Sequence, residues 1–272
     1  VRIRYRVEGQ DLQMIKKGTS NAEKLTLAFW VRSNKTGTYV VELADMDNSR
    51  QCSQSYTISS ADTWEKKILN YPADTTGAYD NDNATSLKLR IWVAAGATYT
   101  NGTLATTWAS TSAGNSAVGQ VNLVDSTDNE WYITGLQMEV GEFDSNTIPS
   151  FPFEDHSTSL LRCQRYFNQM KQNGSDSNIR YCSGICTSST ATEMAYVVFP
   201  ELRSTPTLVL PAANKFRVRS ASAVTCSSIS ADNRHKNGVN IQASVSSGLS
   251  SGDGCNFDSN ASDSLIQLDA EL

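Results

Sequence analysis

The chain has 272 residues, of which 39% are hydrophobic and 19% charged, and a formal net charge of −5. That mild acidity, with no basic block to neutralise phosphates, excludes nucleic acid as the main partner. No apolar run approaches the roughly 18 residues that span a bilayer, so membrane insertion by a helix is excluded too. The length suits two modest domains, and the abundant Ser, Thr, Asn and Gly suit twisted sheets joined by polar turns.

The opening "VRIRYRV" alternates strictly, with Val1, Ile3, Tyr5 and Val7 against Arg2, Arg4 and Arg6, which predicts a half-buried strand with its arginines on the wet face. No signal peptide is visible, and a sequence that opens within a strand is the pattern of an incomplete or processed N-terminus. "KLTLAFWVRS" alternates again: Leu25, Leu27, Phe29 and Val31 form one face, and Thr26, Ala28, Trp30 and Arg32 the other. The turn "NKTG" separates it from the strand "TYVVEL". "SQSYTIS" is another strand, followed by "TWEKKILNYP". "YDNDNATS" is a polar turn cluster. In "LKLRIWVAAG", Leu87, Leu89, Ile91 and Val93 oppose Lys88, Arg90 and Trp92. "EWYITGLQMEV" is a long strand open to a break at Gly135. Strands at this spacing, with no helical pattern between them, predict an antiparallel sandwich.

Pro149 and Pro152 end the first unit. From Ser157 the period changes: Leu160, Cys163, Phe167 and Met170 recur at steps of three and four, one face of a short helix. Asp155 or Ser157 can cap its start, and Asn173 with Gly174 can end it. "EMAYVVFP", "TPTLVL", "KFRVRS", "VNIQASVS" and "SLIQLDAEL" then read as a second, smaller β-unit. The expected fold is mainly β: two antiparallel, jelly-roll-like β-sandwiches over residues 1–150 and 175–272, joined by a Pro-rich segment and one short α-helix over 151–174. The Leu160, Cys163, Phe167 and Met170 stripe is the expected packing surface, against a domain or against the same helix in neighbouring chains.

Residues that could carry chemistry are sparse. Six cysteines include a C-x₃-C pair, Cys182 and Cys186, but no second pair at zinc-ligand spacing, so buried free thiols are expected; a disulfide among the last four stays open. His156 sits in the Pro-rich joint and His235 in the polar stretch "DNRHKNG", neither beside a recognisable nucleophile. There is no G-x-S-x-G, no G-x-G-x-x-G and no phosphate-binding loop. "DNDN", Asp80 to Asn83, offers hard oxygen ligands for calcium but lacks the spacing of an EF-hand loop; an Asx turn is expected there. No cofactor and no metal are expected. Sequons at Asn34, Asn83, Asn101, Asn173 and Asn260 matter only on a glycosylating route.

The tryptophans carry more information. Trp30 and Trp92 both fall opposite the aliphatic stripe of their strands, among Arg32, Lys88 and Arg90. Large aromatics on an outer face need a cover or a ligand. The cover could be the chain's own loops or a neighbouring subunit; the ligand could be a sugar ring stacked on the indoles, with Trp108 and Tyr99 joining from a long loop. The candidate carbohydrate-binding residues are Trp30, Trp92, Arg90 and Trp108.

Three stretches carry a resemblance: "LTLAFWVRSNKTGTYVVEL", "YTISSADTWEKKILNYPADTTGAYDNDNATSL" and "WYITGLQMEVGEFDSNTIPSFPFEDHSTSLLRCQRYF". With a "G-L-Q-M-E-V-G" strand, a "PFE" turn and an "L-x-x-C-Q-R-Y" helix, the sequence resembles phage tail-fibre and related virion structural proteins with a carbohydrate-binding-module-like sandwich. "FPELRSTPTLVL" is similar to the segment that follows the helix in that family. Met138 replaces the motif's leucine here, and the spacer "FDSNTIPSF" is longer. The resemblance implies a non-enzymatic virion component assembled in the host cytoplasm. The expected partners are a homotrimer of this chain, other virion proteins and host-surface glycans. A tail fibre or appendage is the first expectation, an architectural capsid-decoration or head-fibre protein the second, and a polysaccharide-degrading enzyme a distant third.

Overall fold

The structure is a computed structural model, described here for residues 1–171, 179–198 and 200–271. The chain is mainly β and divides into two compact units, Val1–Phe153 and Glu154–Leu272. In the first unit the strands are β1 (Arg2–Glu8), β2 (Leu25–Ser33), β3 (Gly37–Asp45), β4 (Arg50–Ile58), β5 (Glu65–Tyr71), β6 (Thr85–Trp92), β7 (Ala109–Ser110) and β8 (Trp131–Val140). They make two antiparallel sheets, one in the order β1-β6-β3-β4-β7 and the other β5-β2-β8.

Both sheets face one core, because the period-two stripes of their strands point the same way. Leu25, Leu27, Phe29 and Val31 of β2 meet Tyr39, Val41 and Leu43 of β3 and Leu87, Leu89 and Ile91 of β6. Phe29 and Tyr56 meet edge to face at 5.1 Å, and Tyr39 stacks on Tyr56 at 5.6 Å. Burying each such side chain is worth roughly 1.5–3 kcal/mol. The strand β8 runs unbroken through Gly135, where the sequence left a break open; a bulge stands there instead. Gly135 adopts φ +61°, and the β2–β8 register shifts between Ala28 and Trp30. The "DNDN" segment forms an Asx turn in which the Ala84 N–H donates to Asp82 Oδ1 at 2.9 Å.

The first strand departs from expectation. β1 forms and pairs with β6, but its apolar side packs on the core only at Val7: Ile3 is 48% and Tyr5 64% exposed. β1 is the end strand of the wider sheet.

The second unit holds α1 (His156–Gln164), then β9 (Phe167–Lys171), β10 (Arg180–Cys186), β11 (Thr192–Val197), β12 (Thr207–Val209), β13 (Phe216–Arg219), β14 (Ala223–His235), β15 (Gly238–Val245), β16 (Gly254–Ser259) and β17 (Leu265–Asp269). Six of these close a barrel in the order β10-β11-β15-β14-β13-β16, and β12-β17-β9 form a separate sheet. The expected second sandwich is therefore replaced by a closed barrel. The cause is β14, whose 13 residues pair with β13 near one end and β15 along the rest, carrying the sheet around. Met194, Phe216, Phe257 and Ile241 fill the interior, with Phe216 and Phe257 stacked at 4.8 Å.

The helix is shorter than its periodicity predicted. Asp155 caps it, accepting from the Thr158 N–H at 3.0 Å. It ends at Gln164; the expected stop at Asn173 and Gly174 lies outside the described residues. Phe167 and Met170 belong to β9, where Phe167 opposes Asp269 and Met170 opposes Ile266. The four-residue stripe is thus split between a helix and a strand, and no residue of α1 is buried.

Candidate functional site

The sequence-nominated residues separate into two environments. Trp92, Arg90 and Trp108 are engaged internally in the first unit. Trp92 is 2% exposed and packs with Val40 and Ala117, with Tyr99 tilted against it at 4.8 Å. Its indole N–H donates to Glu42 Oε2 at 3.0 Å, and Arg90 donates to Glu42 Oε1 at 2.8 Å. Glu42 is fully buried, so its charge stays tolerable only because these donors surround it. The cover over Trp92 is the chain's own connection between β6 and β8, which contributes Tyr99, Leu104 and Ala117. Trp108 packs at the margin of the main core and donates to the Pro72 carbonyl at 2.8 Å. Lys17 approaches its ring at 5.5 Å from within a buried network, where Lys17 meets Asp45 at 2.6 Å and Asp74 at 3.1 Å.

Trp30 is different: it is 44% exposed. It lies in the middle strand of the β5-β2-β8 sheet, opposite Lys66 on one side and Thr134 on the other. Two residues along, Arg32 lies opposite Tyr132, itself 44% exposed, with the guanidinium carbon 5.7 Å from the ring centre. Trp64, 43% exposed, immediately precedes β5. Arg32 pairs with Asp62 at 3.3 Å, while its Nε is buried without a hydrogen-bond partner. The Tyr132 hydroxyl donates to Glu130 at 2.8 Å, which holds its proton and raises its pKa. A Cβ at Gly135 would come to 3.5 Å from the Trp30 ring, so the glycine leaves that edge of the indole open.

Trp64, Tyr132 and Arg32 were not among the sequence-nominated residues. Tyr132 had a signal in its cross-strand pairing with the Trp30-bearing strand, but register is not visible before the bulge at Gly135 is known. The resulting face carries two exposed aromatics, Trp30 and Tyr132, with Arg32 against the Tyr132 ring, a chemistry suited to stacking on the apolar face of a sugar ring and donating to its hydroxyls.

Other groups are less suggestive. His156 opens α1, and His235 Nδ1 accepts from the Asn237 N–H at 3.2 Å at the β14–β15 turn. Among the described residues no group of three or more His, Cys, Asp or Glu side chains could hold a metal ion. No described helix is long and apolar enough to cross a membrane. All six cysteines are free; Cys163 on α1 is exposed. Leu160 is also exposed on α1, and Met170 on β9, while Phe167 is half-buried. A shallow depression of about 450 Å³ in the second unit is lined by Leu208, Leu210, Ile229 and Arg234, among others. No protein-family model, no curated protein and no solved structure matches the chain.

Proposed function

We propose that the chain is a virion structural protein, a tail-fibre or appendage component that contributes to host-surface attachment by binding carbohydrate. In this reading the first unit is a jelly-roll-like sandwich and the protein assembles as a homotrimer with other virion proteins. The observation that carries the carbohydrate role is the pair of exposed aromatics Trp30 and Tyr132 on one sheet face, with Arg32 against the Tyr132 ring. The "PFE" motif of the resemblance also falls at the division between the units, Phe153 and Glu154. Single sugar contacts of this kind are weak, and a trimer presented several times per particle gains strength through effective concentration.

The test is a glycan array with the purified protein, followed by titration of the best ligand. Binding is expected to fall by at least about tenfold on Trp30→Ala and on Tyr132→Ala, a loss of ~1.4 kcal/mol each. No binding at millimolar sugar by a correctly folded protein sinks the receptor role. A purely architectural role, as in capsid decoration, is the second reading. It is favoured by Arg90, Trp92 and Trp108, which are spent on internal packing and hydrogen bonds. Full virion assembly by a Trp30→Ala, Tyr132→Ala variant with loss of adsorption would decide for attachment.

A further inference from the structure

We propose that β1 is a docking edge for an extended segment of another polypeptide in which acidic and apolar residues alternate. β6 pairs one side of β1, and no strand among the described residues pairs the other. Such an edge presents main-chain donors and acceptors to an added strand.

The two faces of β1 define what that strand must be. On one face Arg2, Arg4 and Arg6 share a side with Trp92, Arg90 and Lys88 of β6, and the register sets Arg4 opposite Arg90 and Arg6 opposite Lys88. Like charges directly opposite one another destabilise a sheet. Only Arg90 has its carboxylate, Glu42; among the described residues Arg4, Arg6 and Lys88 form no ion pair. Arg2 is engaged over the Trp92 and Tyr99 rings at 4.6 and 5.5 Å. Lys88 registers the crowding: burial first, then Arg6, Arg90 and Arg4, lower its pKa. This positive ladder stands in a chain whose net charge is −5. On the other face Ile3 and Tyr5 are exposed at 48% and 64%.

Three features therefore coincide on one strand: a sheet edge, a ladder of cations and an exposed apolar face. An acidic polysaccharide or a nucleic acid would answer the cations alone. A strand of alternating acidic and apolar residues answers all three. Its side chains on one face repeat at about 6.7 Å, the repeat of the arginines themselves. A second copy of β1 does not fit. In an antiparallel pair related by a two-fold axis, one register parity sets arginine against arginine, and the other sets arginine against the apolar residues.

The test uses a fluorescein-labelled octapeptide of alternating glutamate and valine. A scrambled octapeptide of the same composition, oligothymidylate and polygalacturonate serve as comparisons. The alternating peptide is expected to bind at least about tenfold tighter than the scrambled one, and to lose at least about tenfold on Arg4→Glu. It is also expected to slow amide exchange along β1. Arg4→Glu replaces a like-charge pair with an opposite one and should fold; Arg6→Gln, a milder change, gives a second reading of the same loss. Equal binding of the scrambled peptide, tighter binding of either polymer, or no peptide binding at millimolar concentration overturns the proposal. None of these outcomes touches the Trp30 face.

Discussion

The indole N–H of Trp92 and the carboxylate of Glu42 meet at 3.0 Å beneath a cover made by the chain's own β6–β8 connection. A surface aromatic is thereby turned into the centre of a small second core, and a buried acid becomes the acceptor for Arg90 and Trp92 together. Ser116 reaches the same carboxylate at 3.4 Å.

Glu42→Ala is expected to cost about 3–5 kcal/mol, because it leaves the Arg90 charge and the Trp92 N–H buried without their acceptor. Urea unfolding followed by tryptophan fluorescence measures the loss. A change within about 0.5 kcal/mol would mean that water replaces the carboxylate freely.

Acid should weaken the first unit through Asp74. Burial alone would raise its pKa, but hydrogen bonds from Arg50 and Lys17 outweigh burial and hold the carboxyl below its ordinary value. A lowered folded pKa contributes stability above the unfolded value, about 3.9, and that contribution is lost as pH falls through it towards the folded value. The urea midpoint should drop below about pH 4. Asp74→Asn should be less stable at neutral pH and show a flatter acid limb.

The thiols should divide sharply. Burial pushes Cys52, Cys182, Cys226 and Cys255 up to about 12, whereas Cys163 is exposed on α1. A chromogenic disulfide reagent at pH 8 is expected to titrate one thiol promptly, and the other five only on unfolding. Cys163→Ser should remove the fast phase and nothing else.

Gly135→Ala is expected to destabilise by about 1–2 kcal/mol, the cost of placing a Cβ in the left-handed region. The new methyl would meet Trp30 only at ordinary contact distance, so the cost is in the backbone. Gly135→Asn should cost less than Gly135→Val, as read from thermal unfolding.

The strands β2 and β6 were legible because burial and period agree. Leu25, Leu27, Phe29 and Val31 are all buried, and so are Leu87, Leu89 and Ile91. The barrel was not legible. β14 and β16 are rich in Ser, Asn and Asp, and a closed ring needs few large interior side chains to declare it. The helix was overextended because four residues at steps of three and four cannot reveal that the last two enter a strand paired with β17. At the site, parity placed Trp30 outward correctly. Parity placed Trp92 away from the main core correctly too, and its cover is one of the alternatives left open, the chain's own loops. Which alternative held was not legible, because that segment is small and polar with no period to read.

The closure of the barrel has a consequence in time. Its seam joins β10 to β16, so Ser183 must find Asn256 across most of the second unit's length before the ring exists. Closing so distant a pair is slow relative to local hairpins such as β14–β15, and the ring yields its full stabilisation only once the seam forms. The second unit should therefore refold late and all at once. During synthesis it stays unfinished until the residues of β16 have cleared the ribosome, while the first unit is free to complete itself.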